Sequence, residues 1–299
     1  MKQQIKSSLI LLLTATIWGV AFVAQSVGME YIGPFTFNAI RCVLGGLALI
    51  PVILVLKKKK ETGAENQEKE DKKTLWAGGI ACGVILCIAS NLQQFGIMEA
   101  SVGKSGFFTA LYIVMIPVIG IFIGKRPGIK LWFCVALAVV GMYLLCMKDG
   151  SFTIERADIM LLLCALAFSF HILVVDYFSP RVDGVKMSCI QFFVCGVLSA
   201  VGMLFTETPD ISNIQAAWLP LLYAGLLSCG VGYTLQIVGQ KGINPVIASR
   251  IMSLESVISA LAGWVILGQV LSPKEILGCV LMFVAIIITQ IPIGNKKTD

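Results

Sequence analysis

Glu255 is the only acidic residue in an apolar stretch that runs from 246 to 268. This stretch is long enough to cross a lipid bilayer as a helix, and Glu255 would lie roughly 13 Å from its start, near the midplane. A carboxylate at this depth is costly unless it is protonated, paired or facing water. The position predicts that Glu255 carries a proton or binds a substrate ammonium. The alternative is a hydrogen bond that only supports helix packing.

Three aromatic residues, Trp18, Tyr112 and Phe168, lie about as deep in their own apolar stretches. Rings at a common depth can surround an apolar or cationic substrate, because the faces of aromatic rings attract cations. We therefore expect these residues to form part of a substrate site. The alternative is that they only pack between helices.

His171 is the single histidine of the chain and follows Phe168 by three positions. The two side chains would therefore share nearly the same face of a helix, and His171 could relay a proton. A neutral imidazole bonded to a neighbouring helix is the alternative. With one histidine and cysteines that occur singly inside apolar runs, the sequence predicts neither a metal site nor a cofactor.

Two basic residues, Arg41 and Arg250, also fall inside apolar stretches. Either side chain could extend toward the membrane surface. Arg41 is the deeper of the two, about 10 Å from the start of its stretch. It is predicted either to attract a substrate carboxylate or to seal an outer gate.

Further polar side chains near the ends of two stretches could line the outer and inner vestibules of a cavity. Interfacial anchoring is the alternative for all of them. The outer set is Asn91, Gln93 and Gln94, and the inner set is Tyr233 and Gln236.

The composition indicates which elements must position these residues. Of the 299 residues, 57% are hydrophobic and 13% are charged, whereas a soluble domain has about 25% charged residues. Because so little charge cannot cover a soluble surface, the sequence predicts an all-α membrane protein with ten transmembrane helices. The predicted crossings are 7–26, 34–56, 74–96, 103–124, 130–147, 157–178, 187–205, 216–239, 246–268 and 273–292.

Basic residues predict the orientation of these helices in the membrane. If the N-terminus is inside, the inner segments hold 17 lysines and arginines and the outer segments hold 4. Since basic residues favour the cytoplasmic side, both termini are predicted to be cytoplasmic. The inner set includes a polar linker at 57–73, which we expect to be solvated. The basic residues form no continuous face, so nucleic acid is not expected as a partner.

The two halves of the chain resemble each other. At an offset of 150, FNAIRCVLGG (37–46) aligns with MSCIQFFVCG (187–196), and at an offset of 142, GFFTALYI (106–113) aligns with ASRIMSLE (248–255). We therefore divide the chain into two five-helix repeats, 1–147 and 148–299. A repeat with an odd number of crossings must be followed by an inverted copy. Inverted repeats are typical of transporters, which bind substrate near the midplane where the repeats meet.

Prolines inside the crossings could allow helices to bend. Three prolines, Pro51, Pro117 and Pro220, fall inside predicted crossings. Of these, Pro117 is the predicted hinge.

Several motifs resemble the EamA-type transporters of the drug/metabolite transporter superfamily. The resemblance covers essentially the whole chain and rests on LLLTATIWGVAFVAQS (11–26), GPFTFNAIR (33–41), SVGKSGFFTALYIVMIPV (101–118) and ASRIMSLESVISALAGWVILGQVLSPKEILGCVLM (248–282). It implies ten helices in two inverted repeats, a bacterial cytoplasmic membrane, and movement, often export, of small organic metabolites such as amino acids. Ser256 and Gln269 stand where the family usually has proline and glutamate, so neither a kink in the ninth helix nor a role for that glutamate carries over.

Taken together, these residues predict a secondary-active transporter, not an enzyme, that works by alternating access and is driven by a proton or exchange gradient. The bilayer and a small-molecule substrate are its expected partners. Glu255 suits a cation and Arg41 suits a carboxylate, so amino acids or amines fit both. A membrane-embedded enzyme and a channel are the alternatives. The first lacks an HExxH motif or paired intramembrane aspartates, and the second lacks charge rings or a filter sequence.

Overall fold

The computed structural model describes residues 2–62, 71–122, 128–145, 147–148, 151–152, 154–241, 243 and 245–290. Its elements in chain order are α1 (Lys2–Gly28), α2 (Pro34–Thr62), α3 (Lys72–Ile97), α4 (Val102–Thr109), α5 (Tyr112–Phe122), α6 (Ile129–Leu145), β1 (Met147–Lys148), β2 (Ser151–Phe152), α7 (Arg156–Phe178), α8 (Gly184–Thr206), α9 (Ile211–Ala216), α10 (Trp218–Leu222), a π-helix (Tyr223–Tyr233), α11 (Thr234–Gln240), α12 (Pro245–Met252), α13 (Glu255–Leu267) and α14 (Pro273–Gln290).

The fold is almost entirely helical, as the sequence predicts. In the described part of the chain, seven helical segments are long and apolar enough to cross a membrane. They coincide with seven of the ten predicted crossings. The other three predicted crossings, 130–147, 246–268 and 273–292, contain α6, the pair α12 and α13, and α14. The short β1–β2 hairpin, which pairs Met147 with Phe152, was not anticipated.

Helices α2 and α3 both extend into the polar segment at 57–73, so the linker between them is shorter than predicted. Helix α2 continues through the lysines to Thr62, and α3 begins at Lys72, while 63–70 lie outside the described residues. Lysine side chains stabilise the C-terminal end of a helix, because their positive charge complements the negative end of the helix dipole. Asp71 caps the start of α3, where hydrogen bonds from the Thr74 hydroxyl and the Lys73 backbone N–H lower the pKa of the Asp71 carboxyl.

Two of the predicted continuous helices are broken in the middle. The crossing at 103–124 is interrupted at Ala110 and Leu111, and the crossing at 246–268 is interrupted at Ser253 and Leu254. Pro117 lies inside helix α5, six residues after Leu111, so the break does not fall at Pro117 and the hinge expected there stays a prediction.

Serine side chains accompany the second break. The hydroxyls of Ser256 and Ser259 donate to the backbone oxygens of Ser253 and Ser256, each at 2.8 Å. Such bonds offer the backbone an alternative to regular helical bonding. The predicted crossing at 246–268 thus breaks without a proline at position 256.

The crossing at 216–239 is also irregular, because it widens into the π-helix over Tyr223–Tyr233. Glycines let this helix approach α2 closely. A Cβ on Gly225 would collide with Leu44, and a Cβ on Gly45 would collide with Cys229. Wide helical turns of this kind are frequent at functional sites.

Contacts between helices join the two halves in a symmetric pattern. Helix α2 packs on α8, α3 on α7, the π-helix on α1, and α6 on α14. Each of these pairs takes one helix from each half. In chain order, α1 corresponds to α7, α2 to α8, α3 to the π-helix and α6 to α14. Replacing every helix by its counterpart gives the same four pairs. Large apolar side chains such as Phe205 and Leu204 point outward, as expected for a surface that faces lipid.

Candidate functional site

A cavity lies between the two broken helices and the helices α1, α2, α3, α7 and α11, with the π-helix forming another side. Eight of the eleven residues that the sequence assigned to a substrate cavity or its vestibules line it: Trp18, Arg41, Gln93, Tyr112, Phe168, Tyr233, Gln236 and Glu255. The other lining residues are Ala21, Phe22, Gln25, Thr109, Ile172 and Ser228. The cavity thus brings together residues from both halves of the chain.

The two broken helices meet at this cavity. Tyr112 is the first residue of α5 and Glu255 is the first residue of α13, and the Tyr112 hydroxyl donates to Glu255 Oε1 over 3.1 Å. Both side chains are buried. The offset of 142 that aligns the halves places the two breaks within one residue of each other. Interrupted helices in corresponding positions of two halves are the strongest structural indicator of a transporter binding site.

Close packing brings α4 onto α13 next to this contact. A Cβ on Gly106 would overlap the side chain of Ser259. Only glycine therefore allows this approach of the two helices. Gly106 precedes Tyr112 by six residues and Ser259 follows Glu255 by four, so this contact joins the same two crossings as the Tyr112–Glu255 hydrogen bond.

Arg41 contributes a positive charge to the cavity, whereas Glu255 contributes a carboxyl group. Its side chain is 2% exposed, and Nη1 donates to Oε1 of Gln25 over 2.8 Å. The guanidinium lies 5.7 Å from the ring centre of Phe37. Among the described side chains, no carboxylate lies within ion-pair distance of Arg41, and its Nε has no hydrogen-bond partner. The cavity therefore contains a buried carboxyl and a buried guanidinium that do not neutralise each other.

Aromatic rings form a wall of the cavity. The Trp18 ring lies 4.6 Å from that of Tyr233, and Trp18 Nε1 donates to the backbone oxygen of Ser228 over 3.3 Å. Phe168 adds a further ring to the lining. Tyr233, expected in an inner vestibule, thus belongs to the same aromatic group as Trp18. These ring faces can contact apolar or cationic groups.

His171 is fully buried, and it does not line the cavity. Its Nε2 lies 3.1 Å from Oε1 of Gln191 on α8, and its ring contacts those of Phe168 and Tyr233. His171 therefore packs against the aromatic residues of the cavity wall without lining the cavity itself. This environment matches the alternative of an imidazole bonded to a neighbouring helix.

Asn91 and Gln94 also lie outside the cavity lining, in contrast to the expected outer vestibule. Asn91 accepts from Asn38 and donates to Ser199, both over 2.9 Å, so it links α3 to α2 and α8. Gln94 is buried and donates to the sulfur of Met29 over 3.3 Å. The helical turn of about 100° per residue instead directs Gln93 into the cavity, where Gln93 Nε2 donates to Thr109 Oγ1 over 3.3 Å.

Three polar lining residues were not singled out from the sequence: Gln25, Thr109 and Ser228. Gln25 follows Trp18 by two helical turns, so it shares the face of α1 that carries Trp18 and Phe22. This helical spacing could have identified Gln25 as a lining residue from the sequence. Thr109 adjoins the first break, and Ser228 lies within the π-helix. Neither irregularity was predicted from the sequence.

Comparison with known proteins agrees with this architecture. The chain matches the EamA-like transporter family over residues 5–147 and again over 155–291. It is 27% identical to an uncharacterized transporter of Archaeoglobus fulgidus, covering 94% of this chain and 84% of that protein. It is 23% identical to the uncharacterized transporter YwfM of Bacillus subtilis, covering 97% and 96%.

A solved crystal structure shows the same fold. It superposes with a TM-score of 0.68 at 18% identity and covers 95% of this chain and 96% of that one. Since the family match spans nearly the whole chain, this protein belongs to the EamA-like transporter family and is a multi-pass membrane transporter.

Proposed function

We propose that this protein is a secondary-active exporter of small organic metabolites, amino acids or amines, in the cytoplasmic membrane. The observation that carries the proposal is the meeting of two equivalently broken helices at a cavity with an unneutralised carboxyl and an unneutralised guanidinium. Broken helices supply polar backbone groups at the midplane, where a passing substrate needs partners.

The proposed architecture is two inverted five-helix repeats, 1–147 and 148–299, with both termini in the cytoplasm. The symmetric pairing of helices between the halves supports it. The equivalent positions of the two breaks support it independently. The basic residues of the inner segments support the orientation.

Substrate chemistry follows from the lining of the cavity. A substrate ammonium would contact the Glu255 carboxylate and the faces of Trp18 and Tyr233, because both attract cations. A substrate carboxylate would contact Arg41. The alternation of Glu255 between protonated and charged forms would couple export to proton entry, since a buried carboxyl is stable as the neutral acid when no cation is bound.

Alternating access requires contacts that close one side while the other opens. In the proposed orientation, the starts of α2, α4 and α7 face outward. There, Lys104 on α4 binds Asp158 on α7 at 2.7 Å, and the Glu207 carboxylate accepts from the backbone N–H groups of Phe35 and Thr36. These contacts join the two halves on the outer side, so they must break for release outward.

Reconstitution tests the proposal. Purified protein in liposomes is assayed for flux of amino acids and amines with and without an imposed pH gradient, comparing wild type with Glu255→Gln. We expect proton-dependent flux in wild type and a loss of about 10- to 100-fold in the variant, the value of a charge-assisted hydrogen bond. Glu99→Gln, at an exposed glutamate, is the matched control. Unchanged flux in Glu255→Gln would refute the role of this carboxyl, and absence of any flux would refute the substrate class.

A further inference from the structure

Two buried cations in the described part of the chain have opposite environments. Lys104 is 5% exposed and is paired with Asp158 at 2.7 Å and Glu155 at 3.5 Å. Arg41 is 2% exposed and is paired with the neutral amide of Gln25. A buried cation without a counter-charge is costly, because burial removes its hydration. Lys104 is neutralised inside the protein, whereas Arg41 is not.

Gln25 is held so that its oxygen faces Arg41. Because a guanidinium only donates, the amide oxygen of Gln25 must be the atom that accepts from Nη1. The amide nitrogen donates in turn to the backbone oxygen of Ala21, over 3.3 Å, one turn earlier on α1. Gln25 therefore orients the guanidinium without cancelling its charge.

The guanidinium retains donors for a further partner. Its Nε is buried, has no hydrogen-bond partner in the described part of the chain, and belongs to a side chain that lines the cavity. Two parallel N–H groups of an arginine match the two oxygens of a carboxylate. Glu255 also lines the cavity and has no cationic partner among the described side chains, so it disfavours a ligand with only negative charge. The best-matched ligand therefore carries one carboxylate and one ammonium.

We infer that Gln25 is a specificity-determining residue: by leaving Arg41 positively charged, it makes the cavity prefer substrates that carry a carboxylate over the amines that lack one. This inference rests on the proposed function and decides between its two substrate classes. A glutamate in place of Gln25 would have nearly the same shape and would neutralise Arg41 internally. Gln25→Glu is therefore expected to abolish the preference for carboxylates.

The experiment compares binding of matched ligands that differ only by a carboxylate, such as leucine with isoamylamine and lysine with cadaverine. Binding to detergent-purified protein is measured by tryptophan fluorescence, because Trp18 lines the cavity, and by ligand-dependent thermal shift. In wild type, we expect the amino acid of each pair to bind at least about tenfold more tightly than its amine. In Gln25→Glu, we expect this ratio to fall to about one or to reverse.

Gln215→Glu, at an exposed glutamine of α9, is the matched control and should keep the wild-type ratio. Equal wild-type affinity for both members of each pair would overturn the inference while leaving transport of amines intact. An unchanged ratio in Gln25→Glu would overturn it as well. Absence of binding by every ligand would refute the proposed substrate classes instead. Since the wild-type ratio needs no variant, failure of Gln25→Glu to fold does not prevent the test.

Discussion

The hydroxyl of Tyr112 donates to Oε1 of Glu255 over 3.1 Å, and each of these residues begins the second part of a broken helix. The two helices come from different halves of the chain. One hydrogen bond thus joins the two interruptions at the cavity. Any movement of α4 and α5 relative to α12 and α13 must change this contact.

Tyr112→Phe tests the importance of that contact. The substitution keeps the ring and removes the hydroxyl, so Glu255 loses a buried hydrogen-bond donor. We expect a free energy of unfolding lower by about 1–3 kcal/mol and a loss of transport that is smaller than in Glu255→Gln. Thermal unfolding in detergent and liposome flux measure the two effects. Tyr31→Phe, at an exposed tyrosine, should change neither quantity, and a wild-type result for Tyr112→Phe would refute the importance of the bond.

Gly106→Ala tests the close approach of α4 to α13. The added methyl group would overlap the Ser259 side chain, so the helices would have to separate. We expect a loss of about 1–3 kcal/mol in stability, which is typical of overpacking, together with reduced flux.

A compensating variant distinguishes this explanation from a loss of backbone freedom at Gly106. Ser259→Gly removes the two nearest atoms that the new Cβ would meet, leaving the Cα of Ser256 at 3.4 Å. The double variant should therefore recover much of the stability lost in Gly106→Ala. If the double variant is no more stable than the single one, steric overlap is not the cause.

The similar positions of Glu255, Trp18 and Tyr112 within their apolar runs predicted that they lie together, and all three line the cavity. It did not allow the prediction of the partner of Arg41, since Gln25 lies on another helix and pairs through tertiary packing. The sequence also did not show which face of α3 is directed toward the cavity. Polar residues occur at three of four consecutive positions there, so periodicity alone could not say that Gln93, and not Asn91, faces the cavity.

Irregular backbone was the other element missed. The family pattern associates a kink with proline, but at the second break Ser256 takes that place and serine hydroxyls bond to the backbone instead. The π-helix has no simple sequence signal beyond its glycines. The periodicity of apolar residues locates a crossing but does not show where its backbone departs from a regular α-helix.

His171→Gln tests whether the single histidine takes part in proton coupling. His171 is bonded to Gln191 and does not line the cavity, so we expect the pH profile of transport to keep its shape. Glutamine retains a group that can bond to Gln191, which limits the loss of stability. Flux is measured between pH 5.5 and 8.5, a range of about three units that includes the usual histidine titration. A flattened profile would show that His171 carries the proton.

Lys104 and Asp158 test the proposed closure of the outer side. Removing one partner, as in Lys104→Met, leaves the buried Asp158 carboxylate without its 2.7 Å partner, and such a change costs about 3–5 kcal/mol. Exchanging the charges, as in Lys104→Asp with Asp158→Lys, should recover part of that stability, because opposite charges again face each other. If the pair closes the outer side, a cysteine introduced at a residue that lines the cavity should react faster with a membrane-impermeant maleimide in Lys104→Met than in the exchanged variant. Equal labelling rates in the two variants would mean that the pair stabilises the fold without acting as a gate.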